Sequence, residues 1–311
     1  MLKYLVASLA LLCSITSARA ESIRIGYIPI ADCLQLYVAD ELGYFKAQGL
    51  VVEKTPLNGG ALIAMAVEGG ELDAGWSNTA SLAIAQDRGF DFAILSPGAF
   101  EQAPDRREHS LLVAKSSPIR TVADLKGKTV GINALGNINE IAVAALAAQH
   151  GLSVKQMRLV EIPFPQMEAA LTSGHVDAVL TLEPFVTIAR NRGATRVLEP
   201  AALKPFGKRM LIAAWFAKRS WLDRHKAAAT AFALAMRKAS AYIEKNPAQA
   251  RELLTRHTKL SLDLAQQITL PLFAQKIEDS DVQGLIDEAA RFGYIKKAFP
   301  AQRLSLPAAQ P

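Results

Sequence analysis

Apolar and polar residues alternate along RIGYIPI (24–30), then recur at helical spacing through DCLQLYVADELGYFKAQGL (32–50). A period of two predicts a half-buried strand, and a period near 3.6 predicts a helix. Asp32 stands where an N-cap belongs, and Gly49 stands where the helix should stop. VVEKTPL (51–57) reads as a second strand. Gly59-Gly60 opens a short helix over ALIAMAVEGG, which closes in the glycine pair 69–70. In GELDAGWSNTAS (70–81), Leu72, Ala74 and Trp76 alternate with Asp73 and Gly75 as in a buried strand. Three small hydrogen-bonding residues, Ser77, Asn78 and Thr79, follow where the apolar run should end.

The same order of elements returns later. KTVGINA (128–134) is a strand and NINEIAVAALAAQHGL (137–152) a helix, with Asn137 placed to cap it and Glu140 three residues on as a capping-box partner. MRLVEIPF (157–164) is a strand, and QMEAALTSGHVDAVLTLEPF (166–185) repeats helix, glycine turn and strand. Gly49 matches Gly151, and Gly70-Glu71-Leu72-Asp73-Ala74 matches Gly174-His175-Val176-Asp177-Ala178. Strand, helix, strand, helix, strand is the pattern of a parallel sheet covered by helices. The repeat predicts an α/β protein of two lobes, each with a mainly parallel sheet flanked by helices.

HSLLVAKSSP (109–118) is apolar enough to cross between lobes, and KRMLIAAWFAKRSW (208–221) to return. Hinges are therefore expected near 110–116 and 210–217. Lobe one would hold residues 21–112 and 213–311, and lobe two residues 113–212. KAAATAFALAMRKASAYIEKN (226–246), PAQARELLTRH, SLDLAQQITLPLF and DVQGLIDEAARFGYI all read as helical, and the last dozen residues as a loose tail.

The first twenty residues change the compartment. A positive start at Lys3, an apolar run from Tyr4 to Ile15 and the A-x-A ending Ala18-Arg19-Ala20 predict a removed secretory signal peptide, residues 1–20. Cys13 lies inside it behind Leu12, where lipid attachment wants a small residue. The mature chain keeps Cys33 alone, so no internal disulfide is expected. Losing Lys3 and Arg19 from the 35 basic residues leaves 33 against 29 acidic ones. They are scattered, which excludes a nucleic-acid-binding stripe. Charges interrupt every later apolar run before membrane-spanning length. The His residues 109, 150, 175, 225 and 257 show no metal-ligand spacing, and HExxH and GxSxG are absent. No enzyme activity, cofactor or metal is expected.

GYIPIADCLQLYVADELGYFKAQGL, the glycines of LNGG, GGELDAGWSNTAS, DLKGKTVGIN and LTSGHVDAVLTLEPF together resemble the periplasmic solute-binding proteins of ABC importers in the nitrate/sulfonate/taurine (SsuA/THI5-like) group, whose fold is shared by thiamine-pyrimidine binding proteins. The resemblance implies the periplasmic binding protein type II fold, with two crossings and closure on a ligand. It implies a periplasmic location and delivery to an inner-membrane permease with its ATPase. A monomer is expected. Two alternatives stay open: a thiamine-pyrimidine-type enzyme, which normally brings a cysteine cluster absent here, and a sensory binding protein.

Ligands of parallel α/β sheets sit beyond the carboxyl ends of the strands. That selects Asp32 and Cys33, Gly59 and Gly60, Trp76, Ser77, Asn78 and Thr79 from lobe one. From lobe two it selects Gly136, Asn137 and Glu183. Asp32 and Asn137 could equally be plain N-caps, and Trp76 and Cys33 plain core. These segments hold no Arg or Lys but do hold Asp32 and Glu183. Buried carboxylates need donors, so a ligand bearing N–H or ammonium groups is expected: an amino-heterocycle or amino-sulfonate rather than nitrate alone. Arg106 or Arg107 could meet an acidic group if that loop folds inward.

Overall fold

The computed structural model describes residues 21–305. The expected signal peptide and Cys13 lie outside the described residues. Among the described residues twelve strands are formed: β1 (Glu21–Tyr27), β2 (Leu50–Pro56), β3 (Ala74–Asn78), β4 (Phe92–Pro97), β5 (Phe100–Gln102), β6 (Ser110–Ala114), β7 (Thr129–Ile132), β8 (Arg158–Glu161), β9 (Ala178–Thr181), β10 (Thr195–Glu199), β11 (Arg209–Leu211) and β12 (Ala213–Lys218). They make two five-stranded sheets, β2-β1-β3-β12-β4 and β8-β7-β9-β6-β10, and a ribbon of β5 with β11.

The two sheets are built alike. In the first, β1 runs parallel to β2 and β3, and β12 runs antiparallel to β3 and β4. In the second, β7 runs parallel to β8 and β9, and β6 runs antiparallel to β9 and β10. Each sheet thus has one antiparallel strand in its fourth place, and in both cases it is the strand that has just crossed over. The shared Asp-Ala explains the likeness. Asp73 N–H donates to the Arg24 carbonyl (2.8 Å) while the Asp73 carboxylate accepts the Arg24 N–H (2.8 Å). Asp177 N–H donates to Thr129 (2.9 Å) while its carboxylate accepts the Thr129 N–H (2.8 Å). One aspartate in each lobe locks the third strand of its unit onto the first.

Local differences from the sequence reading have clear causes. The single helix expected over 32–50 is a 3-10 turn (Ala31–Cys33) and two helices (Leu34–Glu41, Tyr44–Ala47), because Gly43 adopts φ +67 between them. β6 lies wholly in the second sheet, so the first crossing runs over residues 98–109 instead of 110–116, and a boundary at 112/113 would cut that strand. The β5–β11 ribbon, with Met210 opposite Glu101, is the part held by both crossings. SLDLAQQITLPLF is helical only over Leu262–Gln267. The tail is packed as far as it is described: Leu304 is buried, and its carbonyl accepts the Ile94 N–H at 2.7 Å.

The helix Lys226–Lys245 covers the first sheet with one apolar stripe. Trp215 of β12, opposite Trp76 of β3, is fully buried, and its ring meets Phe232 edge-on at 5.7 Å. Its Nε1 donates to Gln35 Oε1 (3.2 Å), and Gln35 Nε2 donates to Ser240 Oγ (2.6 Å). The core polar groups beneath the sheet are therefore paired, as burial requires.

Candidate ligand-binding cleft

The carboxyl edge of the first sheet presents the end of β3 beside the start of the helix Gly60–Gly69. Gly60 lies so close to Ser77 that a Cβ there would stand 2.4 Å from Ser77 Oγ. Only glycine allows this approach. The free N–H groups of that helix start therefore adjoin the Ser77 hydroxyl, which is buried and without a partner. Trp76 is buried too, and its Nε1, unlike that of Trp215, has no acceptor. Asp32 sits in the 3-10 turn beyond β1, 2% exposed, with Oδ1 unpartnered.

The second sheet offers a matching edge. Thr181 ends β9 and Asn139 lies in the first turn of the helix Ile138–Gln149 that follows β7. Thr181 Oγ and Asn139 Oδ1 are both buried and unpartnered. Ser110, the first residue of β6, stands opposite Thr181 and brings Glu108 and His109 to the same edge. Glu108 is 1% exposed, and neither carboxylate oxygen has a partner.

Several predicted residues are already committed within the protein. Asn78 caps the helix Thr79–Asp87 by accepting the Ser81 N–H (2.9 Å). Thr79 holds the returning crossing: its hydroxyl donates to the Leu211 carbonyl (2.7 Å) and its N–H to Ile212 (2.9 Å). Asn137 accepts the N–H groups of Asn139 and Glu140 and donates to Asn133. Glu140 reaches back to the N–H of Gly136, one residue before the cap. Glu183 accepts the Thr187 N–H (3.1 Å) and hydroxyl (2.9 Å). Burial pushes its carboxyl up, and these bonds with one from the Thr269 N–H pull it back. Gly59 and Gly136 offer only backbone. Cys33 is fully buried and its N–H donates to Ile30; burial pushes its thiol well up, with Asp32 adding to the effect.

The family model described as NMT1/THI5 like matches residues 31–250, about seven-tenths of the sequence. The chain belongs to the NMT1/THI5-like family. Among curated relatives of this NMT1/THI5-like chain, one from Escherichia coli named for aliphatic sulfonate binding is 27% identical over 179 residues, covering 58% of this chain and 54% of that protein. Another, from Haemophilus influenzae and named for thiamine biosynthesis, is 27% identical over 203 residues, covering 61% of this chain and 62% of that one. The chain thus spans a little over half the length of these relatives. Among solved structures, the periplasmic aliphatic sulphonate binding protein SsuA from Escherichia coli superposes with a TM-score of 0.74 at 21% identity, covering 92% of both chains. The fold is that of the periplasmic binding proteins.

Glu101, Glu108, Asn139 and Thr181 escaped the sequence reading. FEQAPDRREHS carries no periodicity and reads as solvated loop. Asn139 looked like an ordinary first-turn residue, and Thr181 like part of an apolar strand. The Asp-Ala correspondence could have led to Thr181, because it aligns the end of β9 with the end of β3.

Proposed function

We propose that this chain is the substrate-binding component of an ABC importer, working in the periplasm after loss of its leader. It captures a small polar organic solute, sulfonate- or taurine-like or an amino-heterocycle, between two lobes that close by flexing of the two crossings. One observation carries the reading. Buried polar atoms without partners gather at the carboxyl edges of both sheets: Asp32 Oδ1, Trp76 Nε1 and Ser77 Oγ on one side, Glu108, Asn139 Oδ1 and Thr181 Oγ on the other. Buried polar groups are almost always paired, so such a set facing one junction fits a site that a ligand completes. Family membership and the fold support it. No covalent step is needed: contacts to both lobes stabilise the closed form by their differential affinity.

The test is a thermal-shift screen of the mature protein against alkylsulfonates, taurine, nitrate, aromatic acids and amino-pyrimidines, repeated with Ser77→Ala and Thr181→Val. At least one class should raise Tm, and both substitutions should reduce the rise while leaving a folded protein. Stabilisation that neither substitution changes would show the site to be elsewhere.

A further inference from the structure

Four ionisable residues converge where the crossings meet the two sheets. Glu101 lies on the ribbon, Glu108 and His109 on the entry to β6, and Asp32 on the first lobe. Glu101 is well answered. Its Oε1 accepts the N–H groups of Glu108 (3.0 Å) and His109 (2.8 Å) and faces His109 Nδ1 at 2.9 Å, and Arg107 stands 4.0 Å from Oε2. Asp32 Oδ1 and both Glu108 oxygens have no hydrogen-bond partner. The His109 Nδ1 stands 4.0 Å from Glu108 Oε1 and is already engaged by Glu101. Arg106 is spent on Glu244 and the carbonyls of Leu270 and Pro271, and Arg251 on the carbonyls of Ala265 and Ile268.

Asp32 Oδ1 and both Glu108 carboxylate oxygens are buried without a donor. Yet they are close enough to act on one another. Burial, then repulsion from Asp32, Glu101 and Glu183, pushes the Glu108 carboxyl well up, and burial raises Asp32. Asp32 belongs to the first lobe, and Glu108 to the crossing that enters the second sheet. The junction also carries an unpartnered buried atom that is not acidic. Thr181 Oγ lies beside the β6 entry, where the Glu183 N–H donates to the Glu108 carbonyl (3.2 Å). Among the described residues no three His, Cys, Asp or Glu side chains are grouped to hold a metal ion.

We propose that Asp32, on the first lobe, and Glu108, on the crossing into the second, form a clamp for an organic cation rich in N–H donors, such as an ammonium, an amidinium or a protonated amino-heterocycle. This rests on the binding-protein reading and narrows it: the ligand is recognised through its positive end, and an alkylsulfonate or nitrate without such a group is a poor ligand. A cation seated there gives each carboxylate a donor and a counter-charge at once, which hydrogen bonds to neutral groups could not. It also ties lobe one to the crossing that leads into the second sheet. A cation seated there favours the ionised form of both carboxyls, so binding is linked to proton release.

The experiment is calorimetry on the mature protein at neutral pH, in two buffers of different ionisation enthalpy. The probes are 4-aminopyrimidine, benzamidine and agmatine on one side, and ethanesulfonate, nitrate and zinc chloride on the other. The expected result is binding of at least one cationic probe with net proton release, weakened at least tenfold in both Glu108→Gln and Asp32→Asn. Gln and Asn keep the shape and lose only the charge, and either variant suffices if the other fails to fold. Binding of ethanesulfonate or nitrate alone would overturn the clamp and leave the binding-protein reading standing. So would zinc binding alone, or cation binding without proton release and indifferent to both substitutions. Silence from every probe here and every compound of the broader screen would count against the binding-protein reading itself.

Discussion

Asp32 and Glu108 are held in the fold at a cost that titration can expose. Burial raises the Asp32 carboxyl from 3.8 to about 6; His109 opposes the rise, and Glu101 adds to it. The folded state therefore holds a proton that the unfolded state has already lost. Stability contributed by this group is full below about pH 4 and falls as pH climbs to about 6. A rise of that size corresponds to roughly 3 kcal/mol as an upper figure. Asp32→Asn should accordingly raise stability above pH 6 and change it little at pH 4, as measured by urea unfolding across that range. A variant less stable at pH 7 would contradict the reading. The gains from Asp32→Asn and Glu108→Gln should not add, because each relieves the same repulsion. Cys33 gives a second check. Fully buried and with its thiol pushed up, it should resist alkylation in native protein at pH 8 and react on unfolding. Gly60→Ala would drive a Cβ onto Ser77 Oγ and close to the Ser77 Cα, which should cost about 1–3 kcal/mol and weaken ligand binding.

At the scale of elements, the duplication was legible because strands and helices obey short-range rules. Alternation in RIGYIPI and in the GELDAGW strand, glycine stops at Gly70 and Gly174, and the repeated Asp-Ala all report local geometry. Asp73 and Asp177 are found doing one job, each closing a hydrogen-bond pair with the strand that opens its unit. Asp73→Ala and Asp177→Ala should each lose about 1–3 kcal/mol, the usual cost of stranding a part-buried N–H, with ligand affinity little changed. Equilibrium denaturation checks this. A loss in only one lobe would show the two locks to be unequal. The site was less legible. Ser77, Trp76 and Asp32 could be placed at strand ends by a general rule, but whether a side chain is free or spent depends on partners far away in sequence. Thr79 bonds to Leu211, 132 residues on, and nothing in SNTAS announces that. Glu108, in a charged loop with no periodicity, is among the most buried carboxylates of the described residues, and no local pattern in the sequence announces it.

On the scale of the whole molecule, the two crossings carry a ribbon and join sheets of matching build, and both sheets have buried polar atoms without partners at strand ends, among them Ser77 Oγ and Thr181 Oγ. A ligand that contacts both edges gains more from the closed arrangement than from the open one, and that difference is the free energy available for closure. Delivery to a permease would then depend on recognising the closed form. The most direct measurement is small-angle X-ray scattering of the mature protein, free and saturated with the compound that gives the largest thermal shift. A smaller radius of gyration in the saturated protein, reverting in Glu108→Gln, is the predicted result. Saturable binding at this junction with an unchanged radius of gyration would contradict the account.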